Sequence, residues 1–197
     1  MKQKLNSNIL TITMGAMSVA LIAVCSWISI PLFGVPFTLQ TFAIFMIAGL
    51  FDLKTSVSAM TVYLLLGAVG VPVFANFRSG VGVLVGPTGG YLIGFFIALF
   101  IIALFKNIKK DSVVFLVIGM LLGLIESYAF GTVWFYYMAA DGSRSILEIL
   151  GICVFPFVIP DLAKLAIAAV LVNRLSIPLR KMGYYTGKVK KEENASA

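Results

Sequence analysis

The sequence predicts an all-α, polytopic membrane protein: six transmembrane helices joined by short loops, both termini cytoplasmic, in a single integral membrane domain over residues 1–197. Three observations lead there. Apolar residues make up 60% of the chain and charged residues 12%, against about 45–50% and about 25% in a soluble domain. The mean hydropathy is +1.04. The apolar residues fall into successive runs broken by Pro, Gly or Lys clusters, and a bilayer core needs about 20 helical residues per crossing.

The first run, residues 9–30, stops against Pro31, whose ring and missing N–H disfavour continued helix. It is too long for the 7–15-residue apolar core of a secretory signal and is followed by further runs, so it is expected to be retained. The loop Pro31-Leu32-Phe33-Gly34-Val35-Pro36 leads to a second segment, 37–51, closed by Asp52-Leu53-Lys54. That segment is short for a full crossing, which suggests a re-entrant path or a start in protein-lined space. Residues 55–71 form the third segment. Pro72, Asn76, Arg78, Gly80, Gly82, Gly86, Pro87, Gly89 and Gly90 then mark a long loop. The fourth span, 88–105, is stopped by Lys106, Asn107, Lys109, Lys110 and Asp111. The fifth, 112–139, is longer than one crossing and permits tilt. The sixth, 146–172, contains Pro156 and Pro160, which are expected to break the helix just above Asp161.

An even number of spans places both termini on one side. With that side cytoplasmic, Lys2, Lys4, Lys54, Lys106, Lys109, Lys110, Arg174, Arg180, Lys181, Lys188, Lys190 and Lys191 are inside, and only Arg78 and Arg144 are outside. This positive-inside bias explains the net charge of +7 better than nucleic-acid binding does. Histidine is absent, which removes a histidine base or proton relay, and Cys25 and Cys153 lie in apolar runs where they read as buried free thiols. With no GxxxxGK[ST] sequence and no metal-ligand cluster, neither ATP hydrolysis nor metal chemistry is expected in this chain.

Ligand chemistry must come from the few polar groups inside or beside the spans. Asp161 and Lys164 are three apart, so on a helix they share a face, pair, and together offer a neutral-overall polar patch. Charges at membrane depth are costly and should face the bundle interior, where the choice is between fixing helix packing and holding a ligand. Glu126, beside Ser127 and Tyr128, has no counter-charge in its own span and divides between the same two roles. In the long loop, Gly86-Pro87-Thr88-Gly89-Gly90-Tyr91 precedes an apolar helix. Thr88 can cap that helix and its first N–H groups can receive an anion, while Asn76 and Arg78 supply the loop's long polar side chains. Thr38, Gln40 and Thr41 cluster at the mouth of the second segment. Trp27, Phe33, Phe37, Phe74 and Tyr91 gather at the same outer end. On the first span Ala16 and Ala20 are four apart, a small-residue stripe that lets another helix approach closely.

Several ordered stretches resemble one family: Gly34-Val35-Pro36-Phe37-Thr38-Leu39-Gln40-Thr41, Gly67-Ala68-Val69-Gly70-Val71-Pro72-Val73-Phe74, Gly86-Pro87-Thr88-Gly89-Gly90-Tyr91-Leu92-Ile93-Gly94-Phe95 and Pro160-Asp161-Leu162-Ala163-Lys164. They are similar to the BioY proteins, biotin-binding S components of energy-coupling factor (ECF) transporters, over about residues 10–173. The resemblance implies high-affinity biotin capture from outside and uptake across the cytoplasmic membrane of a prokaryote. It implies as partners a transmembrane coupling subunit (T component) and two ATPase subunits that hydrolyse the ATP, with no cofactor in this chain. It carries Asp161, Lys164, Asn76 and Arg78 over as substrate-binding residues, and Ala16 and Ala20 as the contact with the coupling subunit; the polar groups read above add Gln40, Thr88, Tyr91 and Glu126 to the substrate-binding set. Biotin suits such a site because its ureido ring both donates and accepts hydrogen bonds, its sulfur ring and alkyl chain need apolar walls, and it ends in a carboxylate. Which end lies deeper stays open, as do the alternatives of another small vitamin or a small-solute channel.

Overall fold

The computed structural model describes residues 7–32, 35–109, 112–139 and 145–181. Phe33, Gly34, Lys110, Arg144 and the basic tail, all used above, lie outside them. Helix α1 covers Ser7–Trp27 and ends three residues before the expected stop. Its successor residues are taken up by a two-residue antiparallel pair, β1 (Ser29–Ile30) with β2 (Phe37–Thr38), in register Ser29↔Thr38. The Leu39 amide then donates to Cys25 O at 3.0 Å, serving a carbonyl that the end of α1 leaves without a helical partner.

Helix α2 (Gln40–Leu50) has only 11 residues, about 16 Å of rise, roughly half a bilayer core. Nine of its residues are buried, and it runs through the middle of the bundle against α1, α5 (Gly89–Ile108) and α8 (Phe155–Lys181). Between them in sequence, α3 (Leu53–Ala68) leads into a 3-10 turn (Ala75–Phe77) and the one-turn α4 (Val81–Leu84). Helix α6 covers Val113–Ala139 and packs along α5 more extensively than any other pair of helices does. Glycines make that approach possible: a Cβ at Gly94 would lie 3.1 Å from Ser127 Cα, and one at Gly123 would lie 3.1 Å from Ala98 Cβ.

The sixth apolar run folds as two helices, α7 (Ile146–Cys153) and α8, which replaces the expected break at Pro160. Ser145 and Glu148 form a reciprocal capping box that starts α7. The interruption is at Val154 (φ −128°, ψ −59°). Pro156 falls in the first turn of α8, where no helical N–H is required, and α8 continues through Pro160.

Among the described residues, four apolar stretches are long enough to cross a membrane: Ile9–Trp27, Gly89–Ile108, Val113–Met138 and Ile146–Leu179, with α2 and α3 as shorter apolar helices. The fold is therefore that of an all-α polytopic membrane protein. Its core includes Ile22, Ile44, Ile47, Met60, Leu99 and Met120, while Ile12, Ile159 and Val170 stand exposed on outward helix faces, the distribution expected of a chain solvated by lipid.

Candidate functional site

The connections α1–α2 and α3–α5 lie at one end of the bundle and are tied to each other. The Trp27 indole N–H donates to Pro72 O at 2.8 Å and its ring stacks on Phe77 at 5.3 Å. Ser29 Oγ donates to Asn76 Oδ1 at 2.8 Å and accepts from the Asn76 amide at 3.2 Å. Asn76 sits at φ 56°, in the left-handed region that asparagine tolerates better than most residues.

Beneath this clasp is a cavity of about 80 Å³ lined by residues from α2, α5, α6, α7 and α8. Its polar centre is the ion pair of Asp161 and Lys164, 2.7 Å apart, one turn apart on α8, both nearly completely buried. The geometry leaves Lys164 no spare donor. Its ammonium reaches Asp161 Oδ1, the Thr38 carbonyl at 2.5 Å and Thr41 Oγ1 at 3.3 Å, and lies 3.9 Å from the centroid of the Phe37 ring. Asp161 also accepts from Thr41 Oγ1 at 2.9 Å and from the Tyr128 hydroxyl at 2.6 Å. Two charges are thus neutralised by each other and held by groups from β2, α2 and α6, as a pair in a low-dielectric interior requires.

The remaining wall is mostly apolar, with Phe74, Phe95 and Phe157 prominent. Gln40 lines it with its amide nitrogen donating to Tyr63 Oη at 2.7 Å, and Tyr63 in turn donates to Val73 O at 3.1 Å. Tyr91 lines it and donates from its hydroxyl to Cys153 O at 3.1 Å, next to the interruption between α7 and α8. Tyr91→Phe keeps the ring and removes that donor, so thermal unfolding in detergent should show a loss of about 1 kcal/mol.

A second cavity of about 260 Å³ lies against the first, lined by Pro31, Leu32, Pro36, Ala75, Asn76, Arg78, Val83 and Thr88. The structure therefore divides the residues singled out in the sequence. Asp161, Lys164, Gln40 and Tyr91 line the inner cavity, Asn76 and Arg78 the outer, and Thr88 both. Thr88 occupies the N-cap position of α5 but its side chain makes no capping bond. The Gly89 and Tyr91 amides already donate to Gly86 O and Thr88 O, so the start of α5 is less open to an anion than its sequence suggests.

Glu126 lines neither cavity, and its Oε2 is buried with no hydrogen-bond partner among the described residues. Successive helical residues are rotated by about 100°, and it is Ser127 and Tyr128 that face inward. The spacing of Gly119, Gly123, Ser127 and Gly131, four apart, marks the side of α6 laid against α5 and is the sequence signal for this rotation. Thr41 and Tyr128, the two hydroxyls on Asp161, stand out in the sequence only as neighbours of a more conspicuous residue. Cys25 and Cys153 are buried free thiols, and Cys153 also lines the inner cavity. On α1, Ala16 and Ala20 are exposed on one stripe, whereas Ala23 is turned into the core.

Comparison with known proteins gives a consistent set of similarities. The profile of the BioY family matches residues 1–181. The biotin transporter BioY of Thermotoga maritima is 45% identical over 156 residues, covering 79% of this chain and 89% of that protein. The biotin transporter BioY2 of Lactococcus lactis subsp. cremoris is 33% identical over 93% of this chain and 97% of its own length. Among solved structures, the crystal structure of an S component for biotin from an ECF-type ABC transporter superposes with a TM-score of 0.78 at 28% identity, over 89% of this chain and 94% of that one.

Proposed function

The chain belongs to the BioY family, and from that premise we propose that the inner and outer cavities beneath its clasped loops form the site where it captures biotin from outside. It takes biotin up across a membrane as the substrate-binding S component of an ECF transporter, and it performs no covalent chemistry. The observation that carries the placement is the self-neutralised Asp161–Lys164 pair set in an apolar cavity. A carboxylate has about four acceptor positions, of which Asp161 uses three. One remains for a ureido N–H, with the Gln40 amide and the uncapped Thr88 hydroxyl nearby on the wall for the ureido oxygen.

The same geometry favours one pose. Lys164 has all three donors engaged and its charge balanced, so a second carboxylate beside it would be desolvated without a free cation. The ring system therefore lies inward, along Phe157 and Phe95, and the carboxylate points to the outer cavity, where Arg78 supplies the only formal charge of the lining among the described residues and Asn76 and Tyr91 flank the path. Six crossings, with α2 and α3 completing the bundle and both termini cytoplasmic, fit the placement of Lys54, Lys106, Lys109 and Arg174 at the end away from the cavity. Residues 1–197 then act as one substrate-binding domain in the cytoplasmic membrane of a prokaryote. The exposed Ala16 and Ala20 stripe of α1 receives the transmembrane coupling subunit, with two ATPase subunits hydrolysing ATP.

Titration of the purified chain in detergent with biotin, thiamine and riboflavin tests the reading. Saturable, stoichiometric binding of biotin alone is expected. Folded protein that ignores biotin, or binds the other two vitamins equally well, refutes it.

A further inference from the structure

The two cavities adjoin, with Pro36, Ala75, Val83 and Thr88 common to both linings. They enclose similar empty volumes, about 700 and 650 Å³, but differ in the space open to water-sized groups. A water molecule needs about 10–15 Å³ of such space. By that measure the inner 80 Å³ accommodates on the order of five to eight water-sized groups, enough for a fused two-ring head and little more. The outer 260 Å³ accommodates on the order of 17 to 26, well beyond what a five-carbon acid tail fills.

Polarity follows the same division. The inner charges are paired with each other, whereas the outer lining carries one charged side chain among the described residues, Arg78, which is exposed to solvent. An exposed ion pair contributes little, so loss of the ligand's carboxylate charge should cost less than about tenfold in affinity. Among the described residues, nothing in the outer lining beyond the exposed Arg78 favours a tail that ends in an acid.

We propose that the outer cavity is a tail port, and that this chain binds biotin lengthened through its carboxyl group as well as free biotin. The ligand class is biotin amides, biotinyl-lysine among them, with the ring system at Asp161 and Lys164 and the added chain running past Arg78 and Thr88. The inference rests on the biotin reading above and extends it to a second class of substrate.

The test is competition on the full chain in detergent, with labelled biotin displaced by unlabelled biotin, by neutral biotin methylamide and by biotinyl-lysine. Both amides are expected to compete within about tenfold of biotin. Arg78→Gln should weaken biotin more than the methylamide and so close the gap between acid and amide. Amides more than about 100-fold weaker than biotin on wild-type protein would overturn the tail port, because the carboxylate end would then be enclosed or held by a buried charge. Failure of unlabelled biotin itself to bind would instead overturn the biotin reading, and the port with it.

Discussion

Asp161→Asn and Lys164→Met are each expected to weaken biotin binding at least about 100-fold, and the double substitution is expected to restore stability without restoring binding. The reasoning separates two effects of one ion pair. Removing one partner leaves the other charge buried with no counter-charge, a loss of about 3–5 kcal/mol. Asp161→Asn leaves the Lys164 ammonium with Thr38 O and Thr41 Oγ1 but no carboxylate, and Lys164→Met leaves Asp161 with two hydroxyl donors and no cation. Replacing both removes both charges, and buried pairs replaced by neutral groups are commonly neutral or stabilising. Unfolding of the double variant should therefore resemble wild type more closely than either single variant does, a coupling that a double-mutant cycle reads directly. Binding is expected to behave differently, because in the proposed pose the ureido N–H needs the carboxylate itself. If the pair served packing alone, the double variant would bind biotin as wild type does, and that result would remove Asp161 and Lys164 from the site.

Much of the molecule is legible in its residues. Asp161 and Lys164 stand out as a pair because opposite charges three apart in an apolar run share a helix face and neutralise each other's cost of burial. The order of spans follows from hydropathy, and the Gly86–Tyr91 loop from its turn residues. What is not legible depends on rotation and on length. Glu126 and Tyr128 are two positions apart and differ by about 200° around the helix, so sequence proximity to the site is no guide to which of them faces it. Hydropathy starts the second segment at Phe37, but Phe37 and Thr38 are claimed by Ser29 and Ile30 across a strand pair that no periodicity announces. Pro160 is the conspicuous breaker in the last apolar run, yet α8 carries it within its length and the interruption falls at Val154.

Lys106 illustrates the same point with a large expected effect. In the sequence it is one of several cations that stop a span and anchor it at the cytoplasmic side. In the structure its ammonium turns inward and donates to Ala48 O at 2.9 Å, Gly49 O at 3.1 Å and Phe51 O at 2.6 Å. These carbonyls belong to the end of α2, which is too short to carry its last turn out to bulk water and has no capping glycine motif to serve them. Interhelical hydrogen bonds in membranes contribute on average about 0.6 kcal/mol and at most about 1.7. Three from one cation therefore amount to roughly 2–5 kcal/mol. Lys106→Met, which keeps the length and apolar stem, is expected to lower stability by that amount in thermal or denaturant unfolding, and Lys106→Arg to retain most of it. A methionine variant that unfolds with wild type would show that water or another donor already serves those carbonyls.

The contact between α5 and α6 bears on how the chain is assembled. These helices are separated by only residues 109–112 and meet through Gly94, Gly119 and Gly123 at backbone distance. Both are long enough to cross the membrane unaided, whereas α2 and α3 are not. Contacts so local in sequence form without closing a long loop, so α5 and α6 can enter the bilayer as a finished hairpin during synthesis. The short helix α2, although made earlier, packs first on α1 alone, gains its second wall and its Lys106 cap only when α5 arrives, and meets Asp161 only with α8. Assembly of the proposed site is then expected to run against the order of synthesis: the short helix at its centre is translated among the first and secured among the last.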